Sequence, residues 1–132
     1  MVDMNRFYVK KVEINGKDFV EISNNEELKN IINKITEGEI KEVAFYGKDK
    51  NIILNIFADV NKFHIGIIDE DEGMNYYYFN SNVNNEELID IDGNYFDANM
   101  ICYNQNTLES IIIKFVVNGE KYEEVEWIEE EE

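Results

Sequence analysis

Residues 104–127 read Asn104-Gln-Asn-Thr-Leu108-Glu-Ser-Ile111-Ile112-Ile-Lys-Phe115-Val116-Val-Asn-Gly119-Glu-Lys-Tyr122-Glu-Glu-Val125-Glu-Trp127, and within them the hydrophobic period changes from helical to extended. Leu108, Ile111, Ile112, Phe115 and Val116 stand at the i, i+3, i+4, i+7, i+8 spacing that lines one face of a helix. Asn104 or Asn106 can cap its start, and Gly119 can close it in the left-handed conformation. From Tyr122 to Ile128 the pattern alternates: Tyr122, Glu124, Glu126 and Ile128 point one way, Glu123, Val125 and Trp127 the other. The expectation is a helix turning into a terminal strand, with Trp127 in the core and Glu129 to Glu132 a solvated acidic tail.

Working outward, the start of the chain pairs with itself. Phe7 to Ile14, the turn signal Asn15-Gly16 and Asp18 to Ile22 predict a β-hairpin. Ser23 stands three residues before Glu26, a capping box, and Leu28, Ile31, Ile32 and Ile35 trace a helix ending near Gly38. Three strand-like runs follow, Ile40–Tyr46, Asn51–Phe57 and Lys62–Ile68, joined by short polar connections that imply an antiparallel meander. The acidic turn Asp69-Glu70-Asp71-Glu72-Gly73 leads into a strand from Asn75 to Asn80, followed by an Asn-rich loop from Asn80 to Asn85. Glu86–Ile91 reads equally as a turn of helix or a short strand, and Tyr95–Tyr103 as a further strand. The fold class expected is α+β, a mostly antiparallel sheet with two helices on one face, in a single domain over residues 1–132.

Composition supports one domain and narrows its partners. The 132 residues are 44% hydrophobic and 13% aromatic, above what a disordered chain carries, and with no proline and only 7 glycines there is no linker composition. The 29 acidic and 12 basic residues leave a formal net charge of −17. That charge opposes binding to nucleic acid or an anionic membrane and favours a basic protein partner, besides keeping a small domain soluble and monomeric. The first six residues carry no apolar signal region, no run reaches a membrane-spanning length, and the single Cys102 cannot form an internal disulfide, so a cytoplasmic location is expected.

Catalytic patterns are scarce. His64, the only histidine, lies between Phe63 and Ile65 without a nucleophile or metal-ligand motif beside it and is read as structural or surface-exposed rather than as a general base. No phosphate-binding loop, dinucleotide fingerprint, zinc motif or Cys-x-x-Cys pair occurs, and Asp69–Glu72 lacks the spacing of a calcium loop, so no metal or other cofactor is expected. The chain reads as a binding protein and not an enzyme. Whichever of Tyr76 and Tyr78, on one side of their strand, or Tyr77, on the other, faces away from the helices would form an aromatic surface.

The early Ser23-started helix, the strand Asn51-Ile-Ile-Leu-Asn-Ile56, and above all Phe115-Val-Val-Asn-Gly119-Glu120 leading to Val125-Glu126-Trp127 resemble the Imm1 family of bacterial immunity proteins. The chain departs from that family in carrying Lys121–Glu124 where a proline is usual before the tryptophan. The resemblance implies a cytoplasmic protein that binds and occludes the toxic C-terminal domain of a contact-dependent or polymorphic toxin, with nuclease toxins a natural target for an acidic inhibitor. In that reading Asp69, Glu70, Asp71 and Glu72 steer the partner and Tyr76 and Tyr78 anchor it. Two alternatives stand beside it: an acidic nucleic-acid mimic directed at another DNA- or RNA-binding protein, and a small enzyme using His64 with a carboxylate.

Overall fold

A computed structural model describes residues 7–49, 51–83 and 86–131. The sequence readings for residues 1–6, for 84 and 85 in the Asn-rich loop, and for Glu132 lie outside these. The hairpin opens the fold as β1 (Val9–Ile14) and β2 (Asp18–Glu21), with Asn15 and Gly16 both at positive φ, 53° and 68°, as a tight right-twisted hairpin requires. Helix α1 (Asn25–Thr36) follows, then β3 (Glu42–Gly47), β4 (Ile52–Asp59), β5 (Lys62–Asp69) and β6 (Met74–Phe79). A small hairpin, β7 (Leu88–Ile91) and β8 (Asn94–Asp97), a 3-10 turn over Ala98–Met100 and a two-residue strand β9 (Ile101–Cys102) lead to α2 (Gln105–Asn118) and β10 (Glu126–Glu131).

The main sheet runs β10-β6-β5-β4-β3-β1-β2, with β9 also pairing β5, and every pairing is antiparallel. Its register sorts the side chains. Val12, Phe45, Leu54, Ile56, Ile65 and Ile67 share the face on which Leu28, Ile32 and Ile35 of α1 and Leu108, Ile112 and Phe115 of α2 pack, all within one core cluster. The chain is an α+β domain of mostly antiparallel sheet with two helices packed on it, as its periodicities predict.

Four local expectations are corrected. The first cap is Asn24, one residue after Ser23: Asn24 Oδ1 accepts from Glu27 N at 2.8 Å, and Ser23 Oγ and Asn24 Nδ2 both donate to Glu27 Oε1. The expected strand Tyr95–Tyr103 breaks into β8, a 3-10 turn and β9, because β8 pairs with β7 in a separate two-stranded sheet while β9 returns to β5. The last strand begins at Glu126, not Tyr122, since Trp127 Nε1 donates to Tyr122 O at 2.9 Å and folds residues 122–125 back beside it. Glu129–Glu131, read as tail, continue β10 opposite Tyr76, Asn75 and Met74. Trp127 packs against the core, its expected place.

Candidate functional site

The sheet face turned away from the helices is set by the same register. It carries Lys11 and Glu13, Phe19 and Glu21, Glu42, Ala44 and Tyr46, Ile53, Asn55, Phe57 and Asp59, Lys62, His64, Gly66 and Ile68, Asn75, Tyr77 and Phe79, and Glu126, Ile128 and Glu130. One end is covered by the β7–β8 hairpin. Phe96 stacks on His64 with ring centroids 3.8 Å apart and planes 14° apart, and it also meets Phe57 at 5.6 Å. Ile101, opposite His64 in the register, is fully buried. This aromatic seat leaves His64 only 6% exposed, and burial pushes its imidazole down to about 4. His64 therefore clamps the hairpin as a neutral ring, and no carboxylate contributes to its shift.

The rest of that face has no element over it among the described residues. Tyr46, Ile53, Asn55, Ile68, Asn75, Tyr77 and Ile128 are each half-buried by their neighbours alone. Gly66 permits this packing: a Cβ there would stand 3.0 Å from Cε1 and 3.1 Å from Cδ1 of Tyr77, so the tyrosine ring lies across the glycine. Farther along, Tyr46 Oη donates to Glu13 Oε1 at 2.9 Å, and Lys11 Nζ sits 4.2 Å over the Phe19 ring. At the end of the strip a cleft of about 300 Å³ opens between Tyr46, Gly47, Asn51, Ile52, Ile53 and Glu70.

The acidic turn borders this cleft. Asp69 closes β5, and its Oδ1 accepts from Glu72 N at 3.1 Å; Glu70 N donates to Asn51 O at 2.9 Å; the Asp71 carboxylate accepts from Asn51 N and Nδ2 at 3.2 and 3.1 Å. The turn is thus tied to the start of β4. Of the three consecutive tyrosines, Tyr76 and Tyr78 fall on the helix-bearing side, Tyr76 opposite Ile67 and both packed against the core, while Tyr77 takes the far face. Tyr76 has Lys121 Nζ 4.1 Å over its ring and its phenol is raised, chiefly by burial and then by Glu72, Glu129 and Asp69. Tyr78 lies deeper, where burial and neighbouring Cys102 push it up to about 12.

The structure therefore gathers Asp69, Glu70, Asp71, Glu72 and Tyr76 at one end of the sheet and adds Glu129 to them, but holds Tyr78 apart in the core side. Of the far-face residues, Tyr77 is the one the sequence marks as a possible aromatic surface, whereas Tyr46, Ile53 and Ile68 carry no such signal. Alternation in Ile53-Leu-Asn55-Ile-Phe57 already marks a second, semi-apolar side of β4; what it lacks is which side the helices take.

The helices and the far sheet face differ in charge. The helices α1 and α2 are balanced, Glu26, Glu27 and Glu109 against Lys29, Lys34 and Lys114. The far sheet face has six carboxylates, Glu13, Glu21, Glu42, Asp59, Glu126 and Glu130, against Lys11 and Lys62. Residues 86–97, which include the hairpin lying on that face, add Glu86, Glu87, Asp90, Asp92 and Asp97 with no lysine or arginine. The far sheet face and the hairpin on it are therefore net acidic, and the two helices taken by themselves are neutral.

Among the described residues no three His, Cys, Asp or Glu side chains form a group that could hold a metal ion, and no helix is long and apolar enough to cross a membrane. Cys102 is fully buried, with burial raising its thiol. No protein-family model, no curated protein and no solved structure matches the chain.

Proposed function

We propose that the chain is an immunity-type inhibitor that binds a basic toxin domain in the cytoplasm of the producing cell and covers its active or substrate-binding site. The observation that supports this reading is the far sheet face itself, which sets half-buried apolar and aromatic side chains among six carboxylates and only two lysines. A cleft that binds phosphates is basic, and an acidic surface is steered into it with an on-rate that falls as salt rises. Half-buried apolar side chains between the carboxylates then hold the complex after encounter, which lowers the off-rate. Turnover and a cofactor have no part in this mechanism; neutralisation is stoichiometric.

The test is titration calorimetry of this protein into the C-terminal domain of any large secreted protein encoded immediately upstream, at low and moderate salt, with a parallel assay of that domain's toxicity. One-to-one binding that weakens with salt and abolishes toxicity is expected. Absence of binding to that domain, together with competition for a DNA-binding protein against DNA, would replace this reading with nucleic-acid mimicry.

A further inference from the structure

The uncovered strip and the cleft at its end have a chemistry of their own. The cleft is lined by the aromatic Tyr46, the aliphatic Ile52 and Ile53, and the acidic Glu70. Lysine and arginine side chains have the same polarity along their length: an apolar stem that packs on aliphatic and aromatic surface, and a cationic head that seeks a carboxylate or an aromatic face. Next to the cleft, Ile53 and Ile68 are directly opposed on the uncovered face, with Tyr46 and Asn75 as their outer neighbours. An extended semi-apolar strip inside a carboxylate rim is the complement of a protein surface whose apolar centre is ringed by cations.

We propose that a basic protein partner seats on this uncovered sheet face, across Tyr46, Ile53, Ile68 and Tyr77, and inserts one lysine or arginine side chain into the cleft beside Glu70. The inference rests on the inhibitor reading for the partner's identity, but the cleft's preference for a cationic side chain does not. A second copy of this chain is the wrong occupant, since it would bring the same carboxylates, Glu13, Glu42, Glu126 and Glu130, against themselves.

Two measurements separate the two statements. In the first, the protein labelled with ¹⁵N is titrated with N-acetyl-arginine amide and, as control, with N-acetyl-glutamine amide. Amide shifts confined to Tyr46, Gly47, Ile53 and Glu70, seen with arginine and not glutamine and weakened about fivefold or more by Glu70→Gln, are expected. Shifts scattered over all carboxylates, or equal for both probes, overturn the cleft assignment even if the toxin domain binds.

In the second, the C-terminal domain of any large secreted protein encoded upstream is titrated into Ile68→Arg, which puts a cation in the middle of the strip, and into Ile113→Arg on the exposed outer side of α2. The first is expected to lose about 100-fold in affinity and the second less than about twofold, with thermal melts showing that both variants fold. Unchanged binding by Ile68→Arg with weakened binding by Ile113→Arg would move the interface to the helix side and leave the inhibitor reading intact. A wild-type protein that fails to bind the domain overturns that reading and this docking surface with it, while the arginine titration still decides the cleft.

Discussion

Acidification tests the aromatic seat under the β7–β8 hairpin most directly. His64 has a reference value of 6.5 and is held at about 4 in the fold by burial. Because the folded value is the lower one, the unfolded chain takes up its proton first as pH falls. The contribution of His64 to stability is therefore complete above 6.5, declines from there to about 4, and levels off below. At about 1.4 kcal/mol per pH unit, the span from 6.5 to about 4 amounts to about 3 kcal/mol at its limit, a large part of a typical domain's stability. Many carboxylates titrate in the same range, so the measurement has to be differential. His64→Phe retains a ring to stack on Phe96 and cannot be protonated. Urea unfolding of both proteins from about pH 7.5 to about pH 4.5 should show the wild type losing stability relative to the variant by roughly 1 kcal/mol per unit below 6.5. Parallel curves, or an imidazole that titrates near 6.5 by NMR, would refute the idea that Phe96 and the hairpin seal this ring from water.

Two further outcomes follow from the packing. Gly119 closes α2 at φ 70°, and a Cβ there would stand 2.7 Å from Cδ2 of Tyr8, so Gly119→Ala should cost about 2–3 kcal/mol in urea unfolding; Gly16→Ala, with φ 68° but nothing within 4 Å, should cost only about 1 kcal/mol. Cys102 is fully buried with its thiol raised by burial, so an aromatic disulfide reagent should modify it only as fast as the protein opens, and rapid reaction of the native protein would contradict its place in the core.

Both helices and most strands were legible because each has a local cause. The apolar stripe of Leu28, Ile31, Ile32 and Ile35 and the left-handed Gly119 need no knowledge of tertiary neighbours. Ser23 and Asn24 were harder to separate, since each has a glutamate three residues on, Glu26 and Glu27, and only side-chain geometry selects the second pair. The start of the last strand has no local signal: Tyr122–Glu131 alternates weakly and carries glutamate on both sides, so either start point satisfies the period, and pairing with Tyr76–Phe79 decides it. The candidate site was the least legible part. Parity groups Tyr76 with Tyr78 in the sequence, but the pair turns toward the helices because Tyr76 lies opposite Ile67, whose side is fixed by Leu54 on the next strand. That information is three strands deep and has no local trace.

The net charge follows from composition alone, whereas which carboxylates share the far face with the apolar strip is a property of the register. That placement also bears on why an apolar strip can remain uncovered. A half-exposed sheet face whose edges are unpaired among the described residues invites pairing with another copy, and the two edges here differ: β10 presents Glu126, Glu129, Glu130 and Glu131, while β2 leaves Phe19 and Val20 exposed between Asp18 and Glu21. In an antiparallel pairing of two β2 strands centred on Phe19 and Val20, Asp18 of one copy would face Glu21 of the other, and across two sheet faces the carboxylate rims would coincide. Like charge thus disfavours self-association at the positions where shape would allow it. The same carboxylates would attract a cationic surface, so in the proposed complex one set of charges would both keep copies of this chain apart and select the partner.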